Sequence, residues 1–143
     1  MNKILSVFFV ILVSNSLYAQ NTNGSQDQNG KVYFMRSDGF QAPAAAFTVF
    51  IDGTLLCRLN NKRFSIHAVK PGTHNFSSQF LGPKSRVKTE KVKIQIEAGK
   101  TYYVQVIFKH GVGIFMNKMH CKEVNENSAK NILPNLKEVK NCR

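Results

Sequence analysis

Three cysteines and four histidines are the side chains of this sequence best able to do chemistry. They are Cys57, Cys121, Cys142, His67, His74, His110 and His120. Among three cysteines three pairings are open, and each leaves one thiol over. We expect a Cys121–Cys142 disulfide, because it would clip the tail back onto the last strand. Cys57 is then predicted to be a buried small hydrophobe or an intermolecular partner.

Catalytic and metal-binding roles find little support in these residues. As a nucleophile, Cys57 would need a histidine and an orienting group, and no cysteine-protease signature surrounds it. His120 and Cys121 are adjacent, so in a strand they point to opposite faces. His67 and His74 flank one predicted turn and could meet across it, but zinc requires three or four ligands. We predict no catalytic, cofactor or metal residue, and we interpret His74 as a half-buried hydrogen-bonding residue.

Arg36 is the polar residue whose position most needs explaining. It shares a strand face with Val32 and Phe34, so its side chain is predicted to run toward the core. A buried guanidinium needs a carboxylate or carbonyl partner. Asp38 and Asp52 are candidates, and we prefer a structural Arg36–Asp52 contact over a bound anionic ligand.

Positive charge is the strongest compositional signal. The formal net charge is +12, and removal of Lys3 with the N-terminal segment leaves 19 basic residues against 8 acidic ones, or +11. Such an excess favours polyanions or anionic membrane surfaces. Its densest part is the basic stretch, residues 84–93, which offers a binding site for anionic glycan or lipid. We prefer a solvated surface as the reading of this stretch.

The segments that position these residues begin with an export signal. Residues 1–19 combine Lys3, an apolar run and a small residue at the expected cut, which predicts a cleaved signal peptide and no transmembrane segment afterwards. Residues 20–30 contain no residue to bury and are predicted to be a disordered linker. The mature chain is therefore expected to be periplasmic or extracellular, where anionic glycans, lipids or envelope proteins are the partners and nucleic acid is not.

The rest of the chain alternates with a period of two. Val92, Ile94 and Ile96 are predicted to face a core. Further alternating segments follow the same pattern: Phe47 to Ile51, Phe64 to Ala68 and Tyr102 to Phe108. Asp52-Gly53 is a hairpin signal because glycine accepts positive φ there. We predict an all-β antiparallel sandwich of about seven to eight strands over residues 31–124.

A short helical tail is predicted over residues 125–143. Its apolar residues fall at helical spacing, with Asn125 or Asn127 as cap and Pro134 as an interruption. They are Ala129, Ile132, Leu133 and Leu136. We expect this apolar side to pack on the sandwich rather than on a partner.

From Val32 to about Tyr103 the sequence resembles a family of uncharacterised exported bacterial domains, known only as a domain of unknown function. The matching segments are Val32–Arg36, Ser37–Phe40, Ile51–Gly53, Leu56–Leu59, Lys70–His74, and Gly99 with Tyr102 and Tyr103. The resemblance implies a small β-sandwich and no catalytic residues. Family members commonly carry a small residue where this chain has Cys57. Neither Cys121 nor Cys142 belongs to the matching core, which fits a staple specific to the tail.

Together these observations predict a non-catalytic exported sandwich with a structural or interaction role in the bacterial cell envelope. The alternative is a binding module for anionic glycan or lipid through residues 84–93. A cysteine- or histidine-dependent hydrolase is the least favoured function.

Overall fold

The computed structural model of the chain describes residues 28–37, 44–80, 88–109, 111 and 118–142. The predicted signal peptide and most of the predicted linker lie outside these residues. Across the described ranges, no helix has the length and apolar character that a membrane span requires.

The described residues form two packed sheets, as the alternation predicts. Their strands are β1 (Gly30–Arg36), β2 (Phe47–Ile51), β3 (Thr54–Leu59), β4 (Arg63–Val69), β5 (Gly72–Phe80), β6 (Lys88–Glu90), β7 (Val92–Ile96), β8 (Thr101–Lys109), β9 (Lys118–Val124) and β10 (Lys137–Glu138). One sheet has the order β10-β4-β1-β8-β9-β6 and the other the order β3-β2-β5-β7. The all-β class with a helical tail is confirmed.

The two sheets differ in strand direction. The four-stranded sheet is antiparallel throughout. In the six-stranded sheet, β1 pairs in parallel with β8, β10 with β4, and β6 with β9. Parallel neighbours require a long connection, and here the chain between β1 and β8 builds the other sheet before it returns. The ten described strands also exceed the expected seven to eight, because β6 and β10 are only three and two residues long.

The β2–β3 hairpin forms where the Asp-Gly signal predicts it. Asp52 has φ of 49° and Gly53 has φ of 81°. Positive φ at both central residues matches the right-handed twist of the flanking strands. The turn thereby brings Asp52 beside β5, where its backbone amide donates to the Asn75 carbonyl oxygen over 2.9 Å.

The C-terminal tail packs on the outer face of the six-stranded sheet. Helix α1 (Glu126–Ile132) begins at Asn125, whose side-chain oxygen accepts from the Ser128 amide over 2.8 Å, and a 3₁₀ turn (Leu133–Asn135) follows it. Ala129 and Leu136 are buried in a second cluster with Met35 of β1. The predicted cap, the break at Pro134 and the packing of the tail are confirmed.

The faces of β4 are the reverse of what its apolar alternation suggests. Ser65 is fully buried and His67 is half-buried on the face that looks between the sheets. Phe64 instead packs into the tail cluster, and Ile66 is 36% exposed. Because the tail covers part of the outer face, both faces of this strand hold apolar groups, and alternation alone does not identify the inner one.

The sandwich is closed differently along its two long sides. On the crossing side, β6 belongs to the six-stranded sheet and β7 to the four-stranded one, so the chain passes between the sheets at Lys91. On the opposite side, the disulfide side, Cys57 of β3 is bonded to Cys142 beyond β10, with a Cα–Cα distance of 4.6 Å.

The predicted Cys121–Cys142 disulfide is therefore wrong. Cys121 lies in the core as a free, buried thiol. The tail runs along β4, where the Val139 amide donates to the Phe64 carbonyl oxygen over 2.8 Å, and this path ends beside β3 rather than β9. Cys57 is consequently neither an unpaired hydrophobe nor an intermolecular partner.

Candidate functional site

A polar concavity built from described residues lies on the outer face of the four-stranded sheet, next to the crossing side. It consists of two adjoining hollows of about 260 and 200 Å³ that share Gly53, Ser77 and Lys91. The first is also lined by Phe50, Gln79 and Thr89, and the second by Asp52 and Asn75. We call these eight residues the cleft.

Strand β5 supplies the floor of the cleft through its outward phase. Asn75, Ser77 and Gln79 alternate with inward residues, so all three project from the same face. Phe50 of β2 is paired with Ser77. The β5 register thus sets a row of amide and hydroxyl groups beside one aromatic ring.

Two buried oxygens at this face lack a hydrogen-bond partner in the described part of the chain: Oε1 of Gln79 and Oγ1 of Thr48. Thr48 is paired with Gln79 across the β2–β5 ladder, and directly opposed residues have Cβ atoms roughly 5 Å apart. Most buried polar atoms in folded proteins are hydrogen-bonded. Gln79 of this pair is half-buried and lines the cleft, so rotation of its amide would bring an unsatisfied polar group to a molecule bound there.

Asp52 and His74 fix one end of the cleft. The Nδ1 atom of His74 lies 2.6 Å from Oδ2 of Asp52, and its Nε2 atom lies 2.9 Å from the Lys70 carbonyl oxygen. The amide of Asn75 donates to Oδ1 of Asp52 over 2.8 Å. That amide first, and the His74 hydrogen bond second, lower the pKa of Asp52 below 3.8. His74 is half-buried and hydrogen-bonded, which confirms its sequence-based interpretation.

The basic stretch meets the cleft at Lys91. Lys91 and Lys93 are both exposed, as the alternation of β7 predicts. Thr89 is tied to the sandwich because its hydroxyl donates to the Ser78 carbonyl oxygen. Lys84 and Arg86 lie outside the described residues. The positive charge that the structure places at the cleft is therefore that of Lys91 and of Lys93 in β7.

The sequence-predicted cysteines and histidines do not gather at the cleft. Burial raises the pKa of the Cys121 thiol to about 12, although a hydrogen bond with Ser78 opposes this shift. His67 lies on β4 in the six-stranded sheet and His74 on β5 in the other, so the two do not meet across their shared turn. Cys121 packs in the core, and its neighbour His120 points to the other face of β9. His110 lies outside the described residues.

Arg36 is fully buried, as its strand phase predicts, but its partners differ from the preferred one. One of its terminal nitrogens, Nη1, donates to the carbonyl oxygens of Ala45 and, over 3.0 Å, of Leu59. Its guanidinium carbon lies 3.5 Å from the centre of the Phe47 ring. The Arg36–Asp52 prediction is wrong because Asp52 binds His74 instead. Asp38, the other candidate, lies outside the described residues.

Sequence reasoning missed the cleft itself. Its signal is an ordinary polar phase on one strand, which also occurs on any solvated sheet face. Only the packing of β2 against β5 reveals that Oγ1 of Thr48 and Oε1 of Gln79 are buried atoms without a partner among the described residues.

A comparison with protein families matches residues 26–118, which is more than half of the chain, to the family described as "Protein of unknown function (DUF2846)". This match confirms the resemblance on which the sequence analysis drew. No curated protein matches the chain.

Proposed function

Because the chain belongs to the DUF2846 family of proteins of unknown function, we propose its function from its geometry: a non-catalytic exported domain whose cleft binds an anionic glycan of the bacterial cell envelope. This proposal gives a definite ligand class to the interaction role expected from the sequence. It places the binding contacts on the outer face of the four-stranded sheet, next to the crossing side.

The Oε1 atom of Gln79, which lacks a hydrogen-bond partner among the described residues and belongs to a side chain that lines the cleft, carries the proposal. An unsatisfied buried polar group costs about 1–3 kcal/mol. A sugar presents several hydroxyl groups, each of which donates and accepts, so it can satisfy this amide oxygen. The nearby hydroxyl of Ser77, which also lines the cleft, extends the same row of contacts.

Charge favours an acidic sugar over a neutral one. Lys91 lines both hollows and is exposed. A flexible ammonium group of this kind suits a carboxylate or phosphate at the rim of a site. The +11 charge of the chain without residues 1–19 further concentrates polyanions near the surface. A glycan is preferred over a lipid surface because the cleft is concave and lined mainly with polar groups.

The chemistry of the remaining groups supports a binding role rather than catalysis. Among the described residues that line the cleft, Asp52 is the one carboxylate, and it is engaged by His74 and Asn75. Both ring nitrogens of His74 are already in hydrogen bonds. A general acid–base reaction needs a group in reach with a proton to exchange, and these partners leave none placed for it.

Retention on an immobilised anionic polysaccharide tests the proposal. The mature chain, residues 20–143, is eluted from a polygalacturonate column by rising salt and compared with three variants: Gln79→Ala, Lys91→Gln and Lys137→Gln. We expect the first two to elute at lower salt than the wild type, because one loses a hydrogen-bonding contact and the other a charge at the cleft. Lys137→Gln removes the same charge from exposed β10 on the disulfide side and is the matched control.

Equal shifts for Lys91→Gln and Lys137→Gln, with none for Gln79→Ala, would mean non-specific attraction to the charged chain and would contradict the proposal. Co-sedimentation with anionic phosphatidylglycerol vesicles is run in parallel. Stronger loss of vesicle binding than of polysaccharide binding in Gln79→Ala would identify lipid as the ligand and would also overturn the choice of glycan.

A further inference from the structure

A second group of chemically active side chains lies on the disulfide side, away from the cleft. The described residues contain one set of three metal-ligating side chains whose donor atoms all lie within 4.8 Å of one another: Cys57, His67 and Cys142. They come from β3, from β4 and from the end of the tail. The set therefore forms only when both sheets and the tail are assembled.

Two contacts fix the orientation of the His67 imidazole. Its Nε2 atom lies 3.0 Å from the hydroxyl oxygen of Ser65, and its ring meets the Phe34 ring edge-on at 5.8 Å. Ser65 is fully buried. Metal-binding histidines are usually oriented by a polar partner of this kind on the second ring nitrogen.

The cluster borders the main core of the sandwich. Cys57 is fully buried within that core, and Leu56, Val139 and Cys142 pack against it as partly buried side chains.

We propose that, once its disulfide is reduced, the Cys57–His67–Cys142 cluster binds one Cu(I) ion. Two thiolates and one imidazole are soft to borderline donors that select thiophilic ions. Three protein donors complete a trigonal Cu(I) site, whereas a structural Zn(II) site takes four protein ligands. The disulfide thus prevents copper binding until it is reduced. This role is independent of the cleft and of the proposed glycan binding.

The reaction balances with a dithiol as the reductant. A dithiol passes two electrons and two protons to the Cys57–Cys142 bond by thiol–disulfide exchange and becomes a disulfide itself. Cu(I) then replaces the two thiol protons, which are released to water, and takes the imidazole of His67 as its third donor. Copper keeps its +1 charge throughout. Exchange with an external disulfide, which takes up two electrons and two protons and becomes two thiols, re-forms the Cys57–Cys142 bond and releases the Cu(I) ion.

The separation of the two sulfurs that a bound ion requires can be taken up at the end of the tail. Cys57 is fixed in β3 and fully buried, whereas Cys142 is half-buried and lies three residues beyond Val139, whose amide bonds to β4. Movement of the last few residues can therefore open the site without disturbing a strand. The partial exposure of Cys142 also makes its sulfur the one that an external thiol can reach.

Titration with Cu(I) under anaerobic conditions tests the proposal. The mature chain carries Cys121→Ser, so that the buried thiol cannot bind copper. After reduction with a phosphine and desalting, it competes for Cu(I) with the chromophoric chelator bicinchoninate. We expect one bound copper per reduced chain, and competition by the disulfide-bonded form to be weaker by at least about tenfold. X-ray absorption at the copper edge is expected to show sulfur and imidazole nitrogen neighbours.

Two histidine variants test whether His67 is a ligand of the copper site or whether the two thiols bind copper without it. In the same background, His67→Ala is expected to weaken Cu(I) binding by at least about tenfold, a loss typical even of outer-shell changes. His120→Ala, which removes a half-buried histidine of β9, is expected to leave the affinity unchanged. Equal affinity in His67→Ala, or equal binding by the disulfide-bonded chain, would overturn the proposal. So would a reduced chain that loses its β-sheet circular dichroism and does not regain it with Cu(I).

Discussion

The two sheets of the sandwich are joined along its two long sides by different sets of covalent links. On the crossing side the backbone itself passes from one sheet to the other at Lys91, so continuity of the chain holds β6 and β7 together. On the disulfide side the backbone also passes between the sheets, from β3 to β4 through residues 60–62, and the Cys57–Cys142 bond adds a second covalent link. The backbone links cannot be undone, whereas the disulfide depends on redox state. The proposed glycan cleft thus lies beside the side that the backbone alone closes, and the proposed copper site lies on the side with an additional, reversible link.

The largest loss of stability is expected when the Cys57–Cys142 disulfide is removed. Cys57→Ser removes a bond that spans 85 residues, and the chain-entropy estimate for a loop of that length is about 4–5 kcal/mol in the free energy of unfolding. Urea denaturation measures the loss.

Cys142→Ser is the matched variant for this bond. The double variant is expected to be no less stable than either single one, because both substitutions remove the same bond. Additive losses would mean that the two cysteines stabilise the fold independently, and the contrast between the two sides would fail.

Arg36 is expected to give the second effect, because it holds strand β3 from within the sandwich. Arg36→Met removes the donor to the Leu59 and Ala45 carbonyl oxygens and the contact with Phe47. Loss of hydrogen bonds to a charged donor costs about 2–3 kcal/mol or more when the acceptors stay buried. Thermal and urea unfolding of Arg36→Met and Arg36→Lys measure this loss. Full stability in Arg36→Met would mean that the backbone already fixes β3.

Acidification is expected to cause a smaller loss of stability, through Asp52 at the end of the cleft that it shares with His74. The pKa of Asp52 is lowered from 3.8, so its contribution is fully present above about 3.8 and is lost as the pH falls through the lower folded value. Because Asp52 is 46% exposed, solvent screening limits this contribution to less than about 1 kcal/mol. Urea midpoints between pH 5 and pH 2.5 are expected to fall more in the wild type than in Asp52→Asn. Glu138→Gln on exposed β10 is the control, and an equal change in its acid response would contradict the assignment to Asp52.

The smallest effect is expected at the surface of the crossing side. Lys118 of β9 lies 3.1 Å from the Glu90 carboxylate of β6, and both side chains are at least half exposed. Exposed ion pairs contribute little to stability. Lys118→Gln is therefore expected to leave the urea midpoint unchanged at physiological salt. A clear loss would show that this ion pair, and not only the backbone ladder, holds the short strand β6 on β9.

Much of the fold was predictable because its causes are local. The period of two in β7, the Asp52-Gly53 turn and the Asn125 cap each depend on a few neighbouring residues, and the structure has all three. The inner face of β4 was not predictable in this way, because the tail gives its outer face an apolar partner as well. The cleft was missed for a related reason: an unpartnered oxygen is defined by what surrounds it, and Gln79 in the sequence is only another polar strand residue.

By itself the sequence determined the all-β class, the Asp52-Gly53 hairpin turn, the capped tail and the burial of Arg36, because alternation, glycine torsion and strand phase follow from a few adjacent residues. Only the tertiary structure decided which cysteines pair. That choice depends on the order of strands in two sheets and on the path of the tail along β4. These bring Cys142 to Cys57 and His67, although Cys142 lies 85 residues beyond Cys57 in the chain.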